Sequence, residues 1–307
     1  MRFSTLTLAY LAIILVSACS AEFSSDQTTA VLASAEPNFE QSSDQTIDRG
    51  TIEQNPLINP EGMTVITRFT SPDGFDRVGI WPRGFETYLR TLPLKAHESP
   101  VKYYNGSEKT DYGYWAAVID MPIGNRDLHQ CADAIMRLRA EYLWSTEQYD
   151  KIHFNFVNGF NAEYSKWRNG QRIKVNGNDV RWVNSAMPST SYESFWKYME
   201  MVFSYAGTAS LVNELKPVEL SEMQIGDVFI RGGSPGHAVI VIDMAVNTDT
   251  DESVYLLAQS YMPAQEMHIL TNPNDAALSP WYKLEEVEEI NTPEWRFDKT
   301  ELRRFQD

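Results

Sequence analysis

Basic residues are scarce in this 307-residue chain. It has 26 Lys and Arg against 42 Asp and Glu, which gives a formal net charge of −16 at pH 7. Nucleic acids and anionic lipid surfaces attract proteins through clustered positive charge. The charge balance therefore argues against a nucleic-acid or anionic-lipid partner.

Several familiar site motifs are also missing. The sequence has no His-Glu-x-x-His, no paired-cysteine zinc pattern and no phosphate-binding glycine loop. Ser210 lacks the Gly-x-Ser-x-Gly context of a hydrolase nucleophile. The acidic run from 247 to 252 lacks the spacing and the glycine of an EF-hand, which favours an exposed hairpin loop. We therefore predict neither a metal nor a cofactor.

Near the N-terminus, an apolar run extends from Leu6 to Val16. It is shorter than the roughly 20 residues that a membrane-spanning helix needs. Arg2 precedes it, and small residues lead from it into Cys19. This order is typical of a secretory signal.

The tetrapeptide Val16-Ser17-Ala18-Cys19 resembles the lipobox of bacterial lipoproteins. That resemblance implies that residues 1–18 are a signal peptide, and that Cys19 is lipidated and becomes the first mature residue. Ser20, which is not Asp, then implies an anchor in the outer membrane that faces the periplasm. An ordinary signal peptide cut nearby is the alternative.

Residues 19–60 are rich in small polar and acidic side chains and have few large apolar ones. Such a segment cannot bury enough surface to offset the entropy of ordering it. We predict a flexible tether here, followed by a single globular domain over residues 61–307.

Only two cysteines are present, Cys19 and Cys131. With Cys19 lipidated, the mature chain can form no internal disulfide. A lone thiol in an exported protein is a candidate reactive group. The alternative is a small buried side chain that only packs.

Local pattern puts Cys131 at the start of a helix. Asp127 fits an N-cap, and Gln130 three residues later completes a capping-box pattern. Residues 128, 131, 135, 138 and 142 then form one inward face. Backbone N–H groups at a helix start stabilise a thiolate and an oxyanion. We therefore expect a lowered pKa for Cys131.

A histidine opens a buried strand further along the chain. Residues 223–231, 237–243 and 254–261 read as three strands of an antiparallel meander, and His237 is the first residue of the second. Gln259 on the third could hydrogen-bond the imidazole and set its tautomer. His97, His129 and His153 are weaker candidates, whereas His268 could replace His237.

The order of these features resembles papain-like amidases, above all the CHAP and NlpC/P60 cell-wall peptidases. Three segments carry the resemblance, namely Gln130-Cys131, Ile225-Gly226-Asp227-Val228-Phe229 and Gly236-His237-Ala238-Val239-Ile240-Val241. It implies that Cys131 is the nucleophile and His237 the base. Gln259 is then the orienting group and Gln130 an oxyanion donor.

The matched segments are short, and two features depart from the pattern. Ala132-Asp133-Ala134 stands where CHAP domains carry an aromatic residue, and Gln259 replaces an acidic third member. Over most of residues 62–283 the chain also resembles an uncharacterised family of bacterial lipoproteins, which implies no activity. Residues 92–95, 137–142 and 258–265 carry that likeness.

The expected fold is α+β and papain-like, with an antiparallel sheet packed on the cysteine-bearing helix. Additional N-terminal strands are predicted at 64–69, 101–104 and 116–121, and inserted helices within 192–215. The expected function is that of a cell-envelope thiol hydrolase acting on peptidoglycan or on a small peptide or amide. The alternative is a non-catalytic envelope lipoprotein that binds glycan, peptide or a protein partner.

Overall fold

The computed structural model describes residues 55–306, which lie within one unit spanning Glu53–Asp307. The predicted signal peptide, Cys19 and nearly all of the predicted tether lie outside the described residues. The α-helices are Val65–Arg68 (α1), Phe85–Arg90 (α2), Cys131–Ser145 (α3), Tyr164–Arg168 (α4), Tyr192–Tyr205 (α5) and Thr208–Glu214 (α6).

The strands are Asp76–Arg77 (β1), Trp115–Val118 (β2), His153–Asn155 (β3), Asn161–Glu163 (β4), Gln171–Asn176 (β5), Asp179–Asn184 (β6), Lys216–Pro217 (β7), Val228–Arg231 (β8), His237–Asn247 (β9), Glu252–Gln259 (β10), His268–Leu270 (β11), Tyr282–Leu284 (β12), Glu289–Asn291 (β13), Arg296–Asp298 (β14) and Leu302–Arg304 (β15).

The fold is mixed α+β around one large antiparallel sheet. Its strands run in the order β2-β11-β10-β9-β8-β15-β7, while β1 also pairs with β9 and β12 with β10. Strands β8, β9 and β10 form the predicted meander. β9 is buried over most of its length, because its β-branched apolar residues face packed layers on both sides.

Helix α3 packs against β9, at the centre of the domain. We predicted one inward face, but nearly the whole helix is buried, including Asp133, Arg137 and Arg139. Arg137 remains compatible with this position because its Nη1 donates to Pro122 O at 2.6 Å and its guanidinium lies over Trp196. Helices α5 and α6 fall within the predicted helical stretch and are separated at Gly207.

Two predicted N-terminal strands are wrong. Residues 65–68 form α1, where the Thr64 N–H donates to Thr67 Oγ1 at 3.0 Å and so closes a helical turn. Residues 101–104 make only single bridges, at Lys102 and Tyr103. The third prediction overlaps β2 at an edge of the sheet.

Candidate functional site

Helix α3 begins at Cys131, and Gln130 is its N-cap residue. The backbone N–H of Gln130 donates to Asp133 Oδ2 at 3.1 Å, which closes the first turn. The prediction that Asp127 is the N-cap is wrong. Its carboxylate instead accepts from Ala264 N at 2.7 Å and from Gln130 Nε2 at 3.0 Å, and so ties the helix start to the loop after β10.

The Cys131 thiol is buried, with 6% of the residue exposed. Burial raises its pKa to about 11, and the nearby Asp133 carboxyl adds to this effect. Backbone N–H groups of Ala132 and Ala238 act in the opposite direction but are outweighed. The expected lowering of the pKa is therefore wrong, since the loss of solvation exceeds the stabilisation from the helix start.

His237 opens β9, where it pairs with Arg231 of β8. Its Nε2 lies 2.7 Å from Gln259 Oε1, so the expected hydrogen bond is present. Rings of Tyr261, Trp295 and Phe297 surround the imidazole, with centroids 4.6, 5.3 and 5.8 Å away. Burial lowers the pKa of His237 to about 4.

Helix α3 packs against β9, the strand that begins at His237. The backbone N–H of Ala238, the residue after His237, is one of the groups that lower the pKa of the Cys131 thiol. Tyr261 contacts the His237 ring, and its own pKa is raised by burial, by Glu294 and by Cys131. Within residues 55–306, however, no hydrogen bond joins the thiol to the imidazole.

A cavity of about 220 Å³ opens beside the sulfur. Cys131, Gln130 and Asp133 line it from α3 and its start, and Met262 lines it from the loop after β10. Its other walls combine the larger side chains of Asp127, Leu128 and Phe203 with small residues, namely Ala132, Ala206, Gly207, Thr208, Gly233, Ser234, Pro235 and Gly236. The cavity therefore gives a small group access to the start of α3.

Sequence reasoning missed two residues behind Gln259. The side-chain Nε2 of Gln259 donates to Glu294 Oε2 at 2.6 Å. Lys109 Nζ donates to both Glu294 oxygens at 2.6 Å. No local signal marks them, because Glu294 sits in the turn between β13 and β14 while Lys109 precedes β2 by several residues.

The other histidines have different environments. His268 is fully buried on β11, and its Nε2 lies 3.4 Å from Gln259 Nε2. Burial lowers its pKa to about 3. His129 is also fully buried, and its ring packs edge-on to Phe203. His153 is exposed on the short hairpin strand β3.

In the part of the chain that the structure describes, no cluster of three or more His, Cys, Asp or Glu side chains is arranged to hold a metal ion. None of the helices among these residues is both long and apolar enough to cross a membrane.

A buried Cys-His-Gln cluster between a helix start and an antiparallel sheet defines the candidate site. Residues 65–304 match DUF4846, a domain of unknown function, and the chain belongs to this family. No curated protein and no solved structure matches the chain.

Proposed function

We propose that this protein is a cell-envelope thiol hydrolase that cleaves an amide bond, with Cys131 as nucleophile and His237 as base. The main support is the packing of α3 against β9, together with the backbone N–H of Ala238, which acts on the pKa of the Cys131 thiol from the start of β9. The second support is Gln259, which holds His237 through Nε2 and leaves Nδ1 as the basic nitrogen.

The reaction begins from a neutral thiol and a neutral imidazole. Cys131 Sγ attacks the substrate carbonyl carbon while His237 Nδ1 takes the thiol proton. The C–N bond then breaks as the imidazolium gives that proton to the leaving amine, and a thioester remains. Water, deprotonated by His237, attacks the thioester, releases the carboxylic acid and restores the thiol.

The developing oxyanion would lie at the start of α3, where backbone N–H groups are free of helical partners. Gln130 lines the same cavity. One of its amide hydrogens is used by Asp127, so the second is the donor we assign to the oxyanion. This geometry supports a papain-like arrangement of helix and sheet as the finer description of the fold.

The proposed substrate is peptidoglycan, through its peptides, or a small peptide or amide. The cavity beside Cys131 has a volume of about 220 Å³, which suits a short acyl group. The net charge of −16 disfavours nucleic acid.

For localisation we propose a lipid anchor at Cys19 in the outer membrane, facing the periplasm. Labelling cells with an alkyne fatty acid should mark the wild-type chain and Cys131→Ser, but not Cys19→Ser. Equal labelling of Cys19→Ser would contradict this anchor.

The hydrolase is tested with the full chain in detergent, incubated with purified peptidoglycan in H₂¹⁸O. Wild type should release fragments that carry one ¹⁸O in a new carboxyl group. Cys131→Ser and His237→Asn should slow release by at least about 100-fold. Cys19→Ser is the matched cysteine control and should remain active. Equal release by wild type and Cys131→Ser would overturn wall hydrolysis.

The second candidate is a non-catalytic envelope lipoprotein that binds glycan, peptide or a protein partner on the same scaffold. The burial of Cys131 and its pKa of about 11 favour this candidate. It predicts retention of peptidoglycan by wild type and Cys131→Ser alike, without release of fragments.

A further inference from the structure

The hydrogen bond between His237 and Gln259 is the first of a chain of polar contacts in the interior. Gln259 is fully buried, and its amide oxygen faces His237 Nε2 at 2.7 Å. Its amide nitrogen faces Glu294 Oε2 at 2.6 Å. Glu294 in turn holds Lys109, of which only 2% is exposed.

The carboxylate determines which way the Gln259 amide points. An ionised carboxylate only accepts hydrogen bonds, so the NH₂ end of the amide must face Glu294. The oxygen end then faces His237. Because an amide oxygen also only accepts, His237 must carry its proton on Nε2, which leaves Nδ1 unprotonated.

His268 supports the same orientation from a second side. Its Nδ1 donates to the backbone oxygen of Glu266 at 2.9 Å, so its Nε2 is an acceptor. That Nε2 lies 3.4 Å from the Gln259 amide nitrogen. Both acceptors therefore lie at the nitrogen end of the amide, and a flipped Gln259 would lose both contacts.

The Lys109 ammonium balances the charge of Glu294 in this buried place. Removing one partner of a buried ion pair lowers the stability of the fold, because the remaining charge is left buried without a counter-charge. Lys109 by itself disfavours a charged His237. Glu294 pairs with this cation at 2.6 Å.

We propose that Glu294, held by Lys109, is a positioning residue for His237 and acts through the Gln259 amide. It keeps the Nε2–H tautomer of the resting protein, and it stabilises the imidazolium that forms during hydrolysis. The acidic member that a catalytic triad would need thus comes from the β13–β14 turn, one hydrogen bond further away. The catalytic consequence rests on the proposed function, whereas the tautomer does not.

The tautomer is measured on the full chain, labelled with ¹⁵N-histidine, by long-range ¹H–¹⁵N NMR. His237 signals are assigned by their loss in His237→Asn. Wild type should show only Nε2–H at His237. Glu294→Gln, which can donate as well as accept, should give a mixture of tautomers, and Glu294→Asp should restore the single form.

Glu301→Gln is the matched control. Glu301 is also a partly buried carboxylate in a two-bond pair, with Arg231 at 2.6 and 2.8 Å, but it does not contact Gln259. It should leave the tautomer unchanged. A single Nε2–H tautomer in folded Glu294→Gln would overturn the proposal. An Nδ1–H tautomer of His237 in the wild type would also overturn the proposal. This second outcome does not depend on whether any variant folds.

Release of ¹⁸O-labelled fragments from purified peptidoglycan separates this proposal from the proposed function. Glu294→Gln should lower kcat at least tenfold with KM within about twofold, and Glu301→Gln should change neither. An unchanged kcat in Glu294→Gln, with an active wild type, would overturn the catalytic role while the hydrolase stands. An inactive wild type whose tautomer still depends on Glu294 would overturn the hydrolase and leave the positioning role intact.

Discussion

The Cys131 thiol and the His237 imidazole are both neutral at pH 7, since their pKa values are about 11 and about 4. Moving the proton from sulfur to imidazole before substrate binds is therefore unfavourable. The resting pair is a neutral thiol and a neutral imidazole. The proton must instead move as the carbon–sulfur bond forms, and groups that stabilise the imidazolium gain importance.

Asp133→Asn should lower the pKa of Cys131. The change removes the carboxyl that raises this pKa, and it keeps an oxygen to accept from Gln130 N–H. Alkylation by iodoacetamide at pH 8–9, followed by mass spectrometry, should become about three- to tenfold faster because the thiolate fraction rises.

Asp127→Asn is the control for this measurement. Asp127 also lies next to the start of α3, but its partners are Ala264 and Gln130 rather than the thiol. Its alkylation rate should equal that of wild type. A rate unchanged by Asp133→Asn would show that burial alone sets the pKa of Cys131.

At the scale of elements, the turn between β8 and β9 positions His237, which is the first residue after it. Thr208 Oγ1, at the start of α6, donates to Gly233 O at 3.3 Å and links the turn to that helix. Gly236 fits tightly, because an added Cβ would lie 2.5 Å from both Gly233 O and Thr208 Oγ1. Glycine is required here to let the turn pack against α6.

Gly236→Ala should lower the free energy of unfolding by about 1–3 kcal/mol, because the turn must shift to admit the methyl group. Gly207→Ala is the matched control. Gly207 lines the same cavity, but an added Cβ there meets no atom within 4 Å, so its effect should stay within about 0.5 kcal/mol. Urea unfolding measures both, and equal effects would refute the tight fit.

At the scale of the whole molecule, the N-terminal elements are bound to the central strand by charge. Asp243 on β9 is fully buried and pairs with Arg77 at 2.6 Å and with Arg90. These arginines belong to β1 and α2. The contacts make the segment before β2 part of the same cooperative structure as the meander.

The buried histidines make stability depend on pH. Burial lowers the pKa of His129 to about 3. In the unfolded chain an ordinary histidine takes up a proton near pH 6.5. The contribution of a neutral His129 is therefore complete above pH 6.5 and is lost as the pH falls towards 3.

His129→Leu removes this pH dependence. From pH 8 to pH 5, the free energy of unfolding of the variant should rise relative to wild type by about 2 kcal/mol. Other titrating groups occur in both proteins and cancel in the difference. Urea unfolding at pH 8 and at pH 5 measures the difference in free energy of unfolding between the variant and wild type. If this difference is the same at both pH values, His129 is not held neutral.

Part of this site could be predicted from local sequence. The start of α3 within one turn of Cys131, the meander of β8, β9 and β10, and the Gln259–His237 hydrogen bond all follow from periodicity and alternation. The strand predicted at residues 64–69 is wrong because the contact between Thr64 and Thr67 favours a helical turn over a β-rich composition.

Sequence alone determined where the thiol and the imidazole enter the fold, because helix starts and buried strands depend on interactions among neighbouring residues. Only the tertiary structure decided the charge states of the two side chains and the polar contacts that hold the imidazole. The pKa of Cys131 depends on how much water the packed elements exclude, and Glu294 meets Gln259 and Lys109 only after distant segments converge. Burial and electrostatics sum over the whole packed interior, so no local pattern encodes them.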